Sequence, residues 1–253
     1  MIQKELAVGI LFLFLGTNII PSTTHNTAEQ SPLRTATGNT FYVGGSGPGN
    51  YSKIQDDVNN ASEGDTIFVY RGTYYENIDI DKIINLVGED KNITIIDGGG
   101  KHDVICIHND NDGVTLSGFT IQNSGNYSDE YTEDCGVDIL SNNNTIQNNV
   151  VSYHPHCGIR IGLANSNKLT KNIIKNNPNN GLWVEFSDNN TIIDNIFFNN
   201  IFCGIEVDNR KKNIIYPVGP IHTPYIGRVD YDPASYDWPP VADVGVCFCS
   251  CYC

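Results

Sequence analysis

Positive charge is scarce in this sequence. Fifteen Lys and Arg stand against 29 Asp and Glu in 253 residues, for a formal net charge of −14. A nucleic-acid partner needs a basic patch to neutralise phosphates, so that class is excluded. The few cations are dispersed, so an anionic polysaccharide would have to be held through bridging cations or a few arginines. Long apolar runs are missing too. The one candidate, from Leu6 to Gly16, is short for a span of about 20 residues, so the chain is not a membrane bundle. There are too few leucines, and no helical half, for a leucine-rich repeat. A helical array would need a longer unit with a period of 3.6, and the Asn-rich connections would break its helices.

What is present is a pattern repeated at a fixed interval. Ile146, Leu169 and Ile192 recur every 23 residues, as do Asn149, Asn172 and Asn195, then Val151, Ile174 and Phe197, then Gly158, Gly181 and Gly204. After each glycine comes an alternating strand: Ile159-Arg160-Ile161, Leu182-Trp183-Val184, Ile205-Glu206-Val207. Its outer two residues can face a core and its middle one water. Short strands separated by Asn and Gly at this period predict a solenoid, specifically a parallel β-helix whose coils stack at about 4.8 Å. Asn149, Asn172 and Asn195 are expected at a corner, where Asn tolerates left-handed backbone and its amide can bond the next coil. Leu116, Phe119 and Ile121 occupy the same columns one coil earlier, at a spacing of 30 instead of 23. An insertion is therefore expected, at the polar loop from Gly125 to Asp134.

Residues 1–25 read as a secretory signal, with Lys4 before the apolar run and Pro21-Ser22-Thr23-Thr24 after it. Residues 26–40 form a polar leader and 41–212 the solenoid. A short helix with Ser52 as N-cap and Ile54, Val58 and Ala61 on one face is expected to cap its open end. Residues 213–238 form a closing segment. The tail, 239–253, begins with Pro239-Pro240-Val241-Ala242-Asp243-Val244-Gly245, which resembles the first strand of a polycystic-kidney-disease-type β-sandwich. It ends in Cys247, Cys249, Cys251 and Cys253.

Several stretches carry a family resemblance. They are Ile54-Gln55, Ala61-Ser62-Glu63-Gly64-Asp65-Thr66-Ile67, Gly72-Thr73-Tyr74-Tyr75-Glu76-Asn77, Ile84-Asn85-Leu86-Val87-Gly88-Glu89 and Ile95-Ile96-Asp97-Gly98. In that order and spacing they resemble the opening of the right-handed parallel β-helix proteins of the pectin-lyase-like superfamily. More closely, they are similar to the branch holding the periplasmic copper-binding NosD family and many archaeal cell-surface proteins. The resemblance covers about residues 41–208. It implies the fold; the superfamily's activities are too varied to imply a chemistry.

Three readings of the chemistry remain open. On one wall Asp138, Arg160, Trp183 and Glu206 should point outward, one per coil, with Glu185 and Asp208 two residues further on. An aromatic beside charged groups suits a sugar ring, so these six residues are the carbohydrate-binding candidates. Glu185 and Asp208, on adjacent coils, are also the candidate carboxylate pair for catalysis, with Arg160 as the candidate base of a lyase. The Asp-Asp, Gly-His-Gly and Arg-Ile-Lys set of polygalacturonases is absent. Cys135 and Cys157 share one repeat position and should form a disulfide in an exported chain. Kept reduced, they would join His154 and His156 in a Zn or Cu site. The outward apolar column Val150, Ile173, Ile196 could be covered by the closing segment or by a partner.

These observations together give an exported, all-β, right-handed parallel β-helix at the cell surface or in a periplasm-like space. It should bind a polysaccharide or a cell-surface protein without catalysing a reaction. A polysaccharide-acting enzyme and a NosD-like copper-associated protein are the alternatives. No resident cofactor is expected; Ca, Cu and Zn are the ions the alternatives would use.

Overall fold

Each coil contributes three short strands, and like strands from successive coils pair in parallel and in register. In the computed structural model, which describes residues 38–47, 49–108, 112–128, 133–208, 212–218 and 246–249, they form three walls of eight, six and seven strands. The first wall runs from Thr40–Val43 to Ile214–Tyr216, the second from Gly72–Tyr75 to Ile196–Phe198. The third comprises Ile78–Ile80, Ile105–Ile107, Cys135–Ile139, Cys157–Gly162, Asn180–Glu185, Cys203–Asp208 and Val246–Cys249. The fold is a right-handed parallel β-helix of about 7 turns with coils of about 23 residues. The expected signal sequence, most of the expected leader and closing segment, the β-sandwich-like run and the last four residues lie outside the described residues, as do the side chains of Asp208, Cys247 and Cys249.

Alternation fills the interior. In Ile159-Arg160-Ile161 and its equivalents the outer residues are fully buried, and Ile105, Ile107, Val137, Ile139, Leu182 and Val184 continue the same two columns. The expected columns Leu116–Ile146–Leu169–Ile192 and Ile121–Val151–Ile174–Phe197 are in register. In the insertion between them, Asp134 accepts the Tyr127 N–H through Oδ2 at 2.9 Å and returns its own N–H to the Tyr127 carbonyl, also at 2.9 Å. Residues 129–132 of that loop are not described.

The corners depart from the expectation in one respect. Asn149, Asn172 and Asn195 are fully buried, and the left-handed residues are those just before them, Asn148, Lys171 and Asp194, with φ of 55–57°. The buried asparagines form the inter-coil amide ladder expected of them. Asn172 Oδ1 accepts the Asn149 N–H at 3.0 Å, while Asn172 Nδ2 donates to the Ile146 carbonyl at 2.8 Å. A second ladder, Asn144–Asn167–Asn190–Asn213, uses the same Oδ1 bond at every step. Where the chain turns a corner its backbone cannot pair with strands, and a buried unmet N–H costs about 1–3 kcal/mol. The asparagines supply the missing partners.

The glycine that opens each third-wall strand has a packing reason. A Cβ on Gly158 would lie 2.6 Å from the Gly181 carbonyl oxygen and 2.9 Å from Asn177 Nδ2. Gly136 and Gly181 are in the same position against Gly158 and Gly204. Coils can stack here only without a side chain.

The helix Ile54–Asn60 is where expected, but Ser52 is not its cap. Lys53 is the N-cap residue and offers no side-chain bond. The free N–H groups of Ile54 and Gln55 donate instead to the Glu76 carboxylate, at 2.9 and 3.0 Å. An acidic group at a helix N-terminus is favourable in both charge and geometry. Glu76, in the Tyr-Tyr-Glu-Asn run, therefore ties the end cap to the coil beneath it.

Candidate functional site

The third wall carries one outward column: Asp79, Cys106, Asp138, Arg160, Trp183 and Glu206, each paired in register with the next. The four wall residues expected from the repeat are therefore aligned. They are not an open strip, however. Asp138 is 5 % and Arg160 8 % exposed, and the reason is their pairing. The Arg160 guanidinium lies 3.1 Å from Asp138 Oδ2 and 2.9 Å from Glu185 Oε2, with its carbon 5.4 Å from the Trp183 ring centroid. It reaches Glu185 by crossing Gly162, where a Cβ would approach its Cζ to 3.1 Å. Glu206 accepts a bond from Asn180 Nδ2.

This pairing bears on the catalytic candidates. Asp208 is in register beside Glu185, but Glu185 is bound to Arg160. Arg160, flanked by two carboxylates, has its pKa raised from an already high value, the opposite of what a base requires.

The proposed His/Cys set does not converge either. Cys135 and Cys157 are joined by a disulfide with Cα atoms 4.8 Å apart, which leaves no thiolate. Cys203, the third member of that column, is disulfide-bonded as well. His154 is fully buried and stands in an asparagine ladder, where its own N–H donates to Asn177 Oδ1. Its Nδ1 accepts the Ser124 N–H at 3.2 Å and its Nε2 lies 3.0 Å from the Ile121 carbonyl. A backbone N–H can only donate and a carbonyl only accept, so the ring is neutral with its proton on Nε2. Burial depresses its pKa to about 4. Both nitrogens are engaged, and no donor cluster among the described residues includes His154 or His156.

A cluster that the repeat pattern did not single out lies at the other end of the column. Donor atoms of Asp79, Cys106 and His108 lie within 4.8 Å of one another, as do those of Asp103, Cys106 and Asp138. His108 Nε2 is 3.5 Å from Asp79 Oδ1, and Asp103 Oδ1 accepts the Cys135 N–H at 2.6 Å. Cys106 is the free cysteine among the described residues. Burial, then the Asp138 charge, raises the Asp103 pKa to about 7. Burial also raises Asp138 to about 6, although Arg160 pulls the other way. The Cys106 thiol is pushed far up by burial and then by Asp138, Asp103 and Asp79. These groups crowd negative charge in a partly dry place beside the Arg160 cation. The signal was the alternation Ile105-Cys106-Ile107-His108. It escaped because 32 residues, not 23, separate Cys106 from Asp138, the insertion having shifted the count.

Fold and wall together define a pectin-lyase-like parallel β-helix whose outer third wall is its chemically distinctive face. The sequence profile of the family described as periplasmic copper-binding protein (NosD) matches residues 58–217, and the chain belongs to that family. No curated protein matches it. Among solved structures, a Geobacillus virus E2 protein, ORF18, is 18 % identical, with 64 % of this chain and 37 % of that one covered and a TM-score of 0.52. Escherichia coli YbhC is 13 % identical over 81 % of this chain and 71 % of its own, at 0.50. The pectin methylesterase PemA from Erwinia chrysanthemi is 13 % identical, with 75 % and 63 % covered, at 0.47. The chain thus spans less than two thirds of the viral protein and of PemA, and at these identities the likeness is one of fold.

Proposed function

We propose that this chain is an extracytoplasmic, copper-handling β-helix protein that acts by binding and not by turnover. One observation carries the reading: a thiol, an imidazole and carboxylates meet on the outer face of a rigid wall, in a family described as periplasmic and copper-binding. Sulfur, nitrogen and oxygen donors in reach of one another fit a borderline or soft ion such as copper. Two observations support the absence of turnover. Asp138 and Glu185 of the wall's other half are bound to Arg160, and that arginine's raised pKa does not suit a base. Export is supported by the amino-terminal apolar run and by the disulfide, which persists in oxidising compartments. No helix among the described residues is long and apolar enough to cross a membrane.

The test is equilibrium dialysis of the purified, disulfide-intact chain against copper, alongside an assay for unsaturated or reducing ends released from pectin, polygalacturonate and other polysaccharides. Stoichiometric copper with no new ends supports the reading. Polysaccharide cleavage would replace it with the enzymatic one, and a failure to retain copper would remove its metal half.

Carbohydrate binding is the second reading of this wall. It is favoured by Trp183, which stays partly exposed beside Glu206 although Arg160 lies over its ring. A glycan array scored with Trp183→Ala as control tests it.

A further inference from the structure

Resting on the copper-handling reading, we infer that Asp79, Cys106 and His108 form the ion's binding site and that it selects a borderline divalent ion, Cu2+ or Zn2+. The choice among the clustered donors follows from what each is already doing. Asp138 is held by Arg160 at 3.1 Å and Asp103 by the Cys135 N–H at 2.6 Å. Both are committed to structural bonds and are at least half removed from water. Asp79 and His108 are not: their side chains are 74 % and 45 % exposed, and their one mutual contact is 3.5 Å long. They flank Cys106, the free cysteine among the described residues.

Geometry favours closure on an ion. Asp79 and Cys106 are register partners on adjacent strands, and His108 is two residues beyond Cys106, on the same face of the chain by strand alternation. Donor atoms already within 4.8 Å of one another need to approach by only about 1 Å to surround an ion with bonds of about 2.0–2.3 Å. The strands that carry Asp79 and Cys106 are fixed by the buried pairs Ile78, Ile80 and Ile105, Ile107, so rotation of two exposed side chains is enough.

Ion class follows from the donors. Calcium and magnesium take six or more oxygens and have no use for a thiol or an imidazole. A thiolate with one imidazole and one carboxylate is a three-donor set that leaves a fourth position for water or for a ligand on a partner. On binding, the metal–sulfur bond replaces the Cys106 S–H bond and the proton leaves to solvent. The surrounding Asp103 and Asp138 balance charge without being ligands. This arrangement is an open, one-sided site on a wall, suited to receiving an ion and passing it on.

The test uses the full chain with its disulfides intact, titrated with Zn2+, Co2+ and Ca2+, which do not oxidise a thiol, and anaerobically with Cu2+. One equivalent of Zn2+ or Cu2+ is expected to bind, Ca2+ is not, and bound Co2+ should show thiolate-to-metal charge-transfer absorption. Cys106→Ser should abolish that band and weaken Zn2+ binding at least 100-fold. His108→Gln and Asp79→Asn, both at exposed positions where folding is not at risk, should each weaken it at least tenfold. If the wild type binds copper but these variants bind equally well, the site assignment is wrong and the copper reading stands. If the wild type binds none of the transition ions, both fall. Binding of Ca2+ in preference to Zn2+ would overturn the ion class.

Discussion

The two halves of the third wall share one strand register and differ in everything their outer face carries. Along Asp138, Arg160 and Glu185 every charge meets an opposite charge, and Asp138 and Arg160 are buried. Around Asp79, Cys106 and His108 the donors touch one another loosely and stay accessible. The difference teaches that the repeat specifies where outward side chains stand and leaves their chemistry free. In one half the fold has used its outer face to tie coils together. In the other that face is left for something else.

Removing Arg160 should break the contrast most severely. Arg160→Met leaves two carboxylates without their cation, one of them almost fully buried, and should cost about 4 kcal/mol at neutral pH, read as a lowered urea midpoint. Much of this loss should return as Asp138, whose pKa burial already raises to about 6, is protonated on acidification. Next is His154, in the corner ladder between Ser124 and Asn177. Its folded pKa, near 4, lies below the unfolded value of about 6.5. The folded state therefore holds fewer protons between those values, and stability is fully present above about pH 6.5 and lost as pH falls towards 4, by about 3 kcal/mol. His154→Asn, which restores the ladder residue, should flatten that limb in denaturation curves taken between pH 4 and 7. Asp57 acts with the opposite sign. Its two carboxylate oxygens are buried with no hydrogen-bond partner among the described residues, and burial raises its pKa to about 6. Its contribution falls as pH rises from about 4 to 6, and Asp57→Asn should remove that slope.

The shared register itself is attacked by Gly158→Ala, whose Cβ meets the backbone of the next coil at 2.6 Å. A loss of about 2–3 kcal/mol is expected, with Cys106 still titratable by a thiol reagent on partial unfolding of the later coils. The smallest effect should come from Trp183→Ala. It removes a partly exposed ring and its contact with Arg160, worth about 1 kcal/mol. Thermal unfolding should barely move, and the Cys106 end of the wall should bind metal as before.

How far the chain could be read in advance follows the same division. The regular coils from Thr145 to Val207 were legible because four columns recur at one interval, and alternation then places Arg160, Trp183 and Glu206 outward. Their burial was not legible. It depends on a guanidinium folding across Gly162 onto Glu185, a contact between columns that no single-column pattern contains. The left-handed position was off by one residue, falling on Asn148, Lys171 and Asp194, whereas the amide ladder through Asn149, Asn172 and Asn195 is where the sequence put it. The Cys106 cluster was obscured by the insertion, which hides the column that joins Asp79, Cys106 and Asp138. His154 looked like a ligand because its sequence neighbours are His156 and Cys157. In space its neighbours are backbone groups of the coils above and below.

The asparagine ladders have one more consequence, for how such a molecule changes over generations. In each ladder the bond runs the same way, with the N–H of one coil given to the amide of the next, so every coil offers its successor the same socket it received. A coil can therefore be copied or lost as a unit without reworking its neighbours, provided the outward column is spliced in step. Lengthening this protein is a matter of duplication. Moving its Cys106 cluster along the wall would need only three substitutions in a chosen pair of adjacent coils.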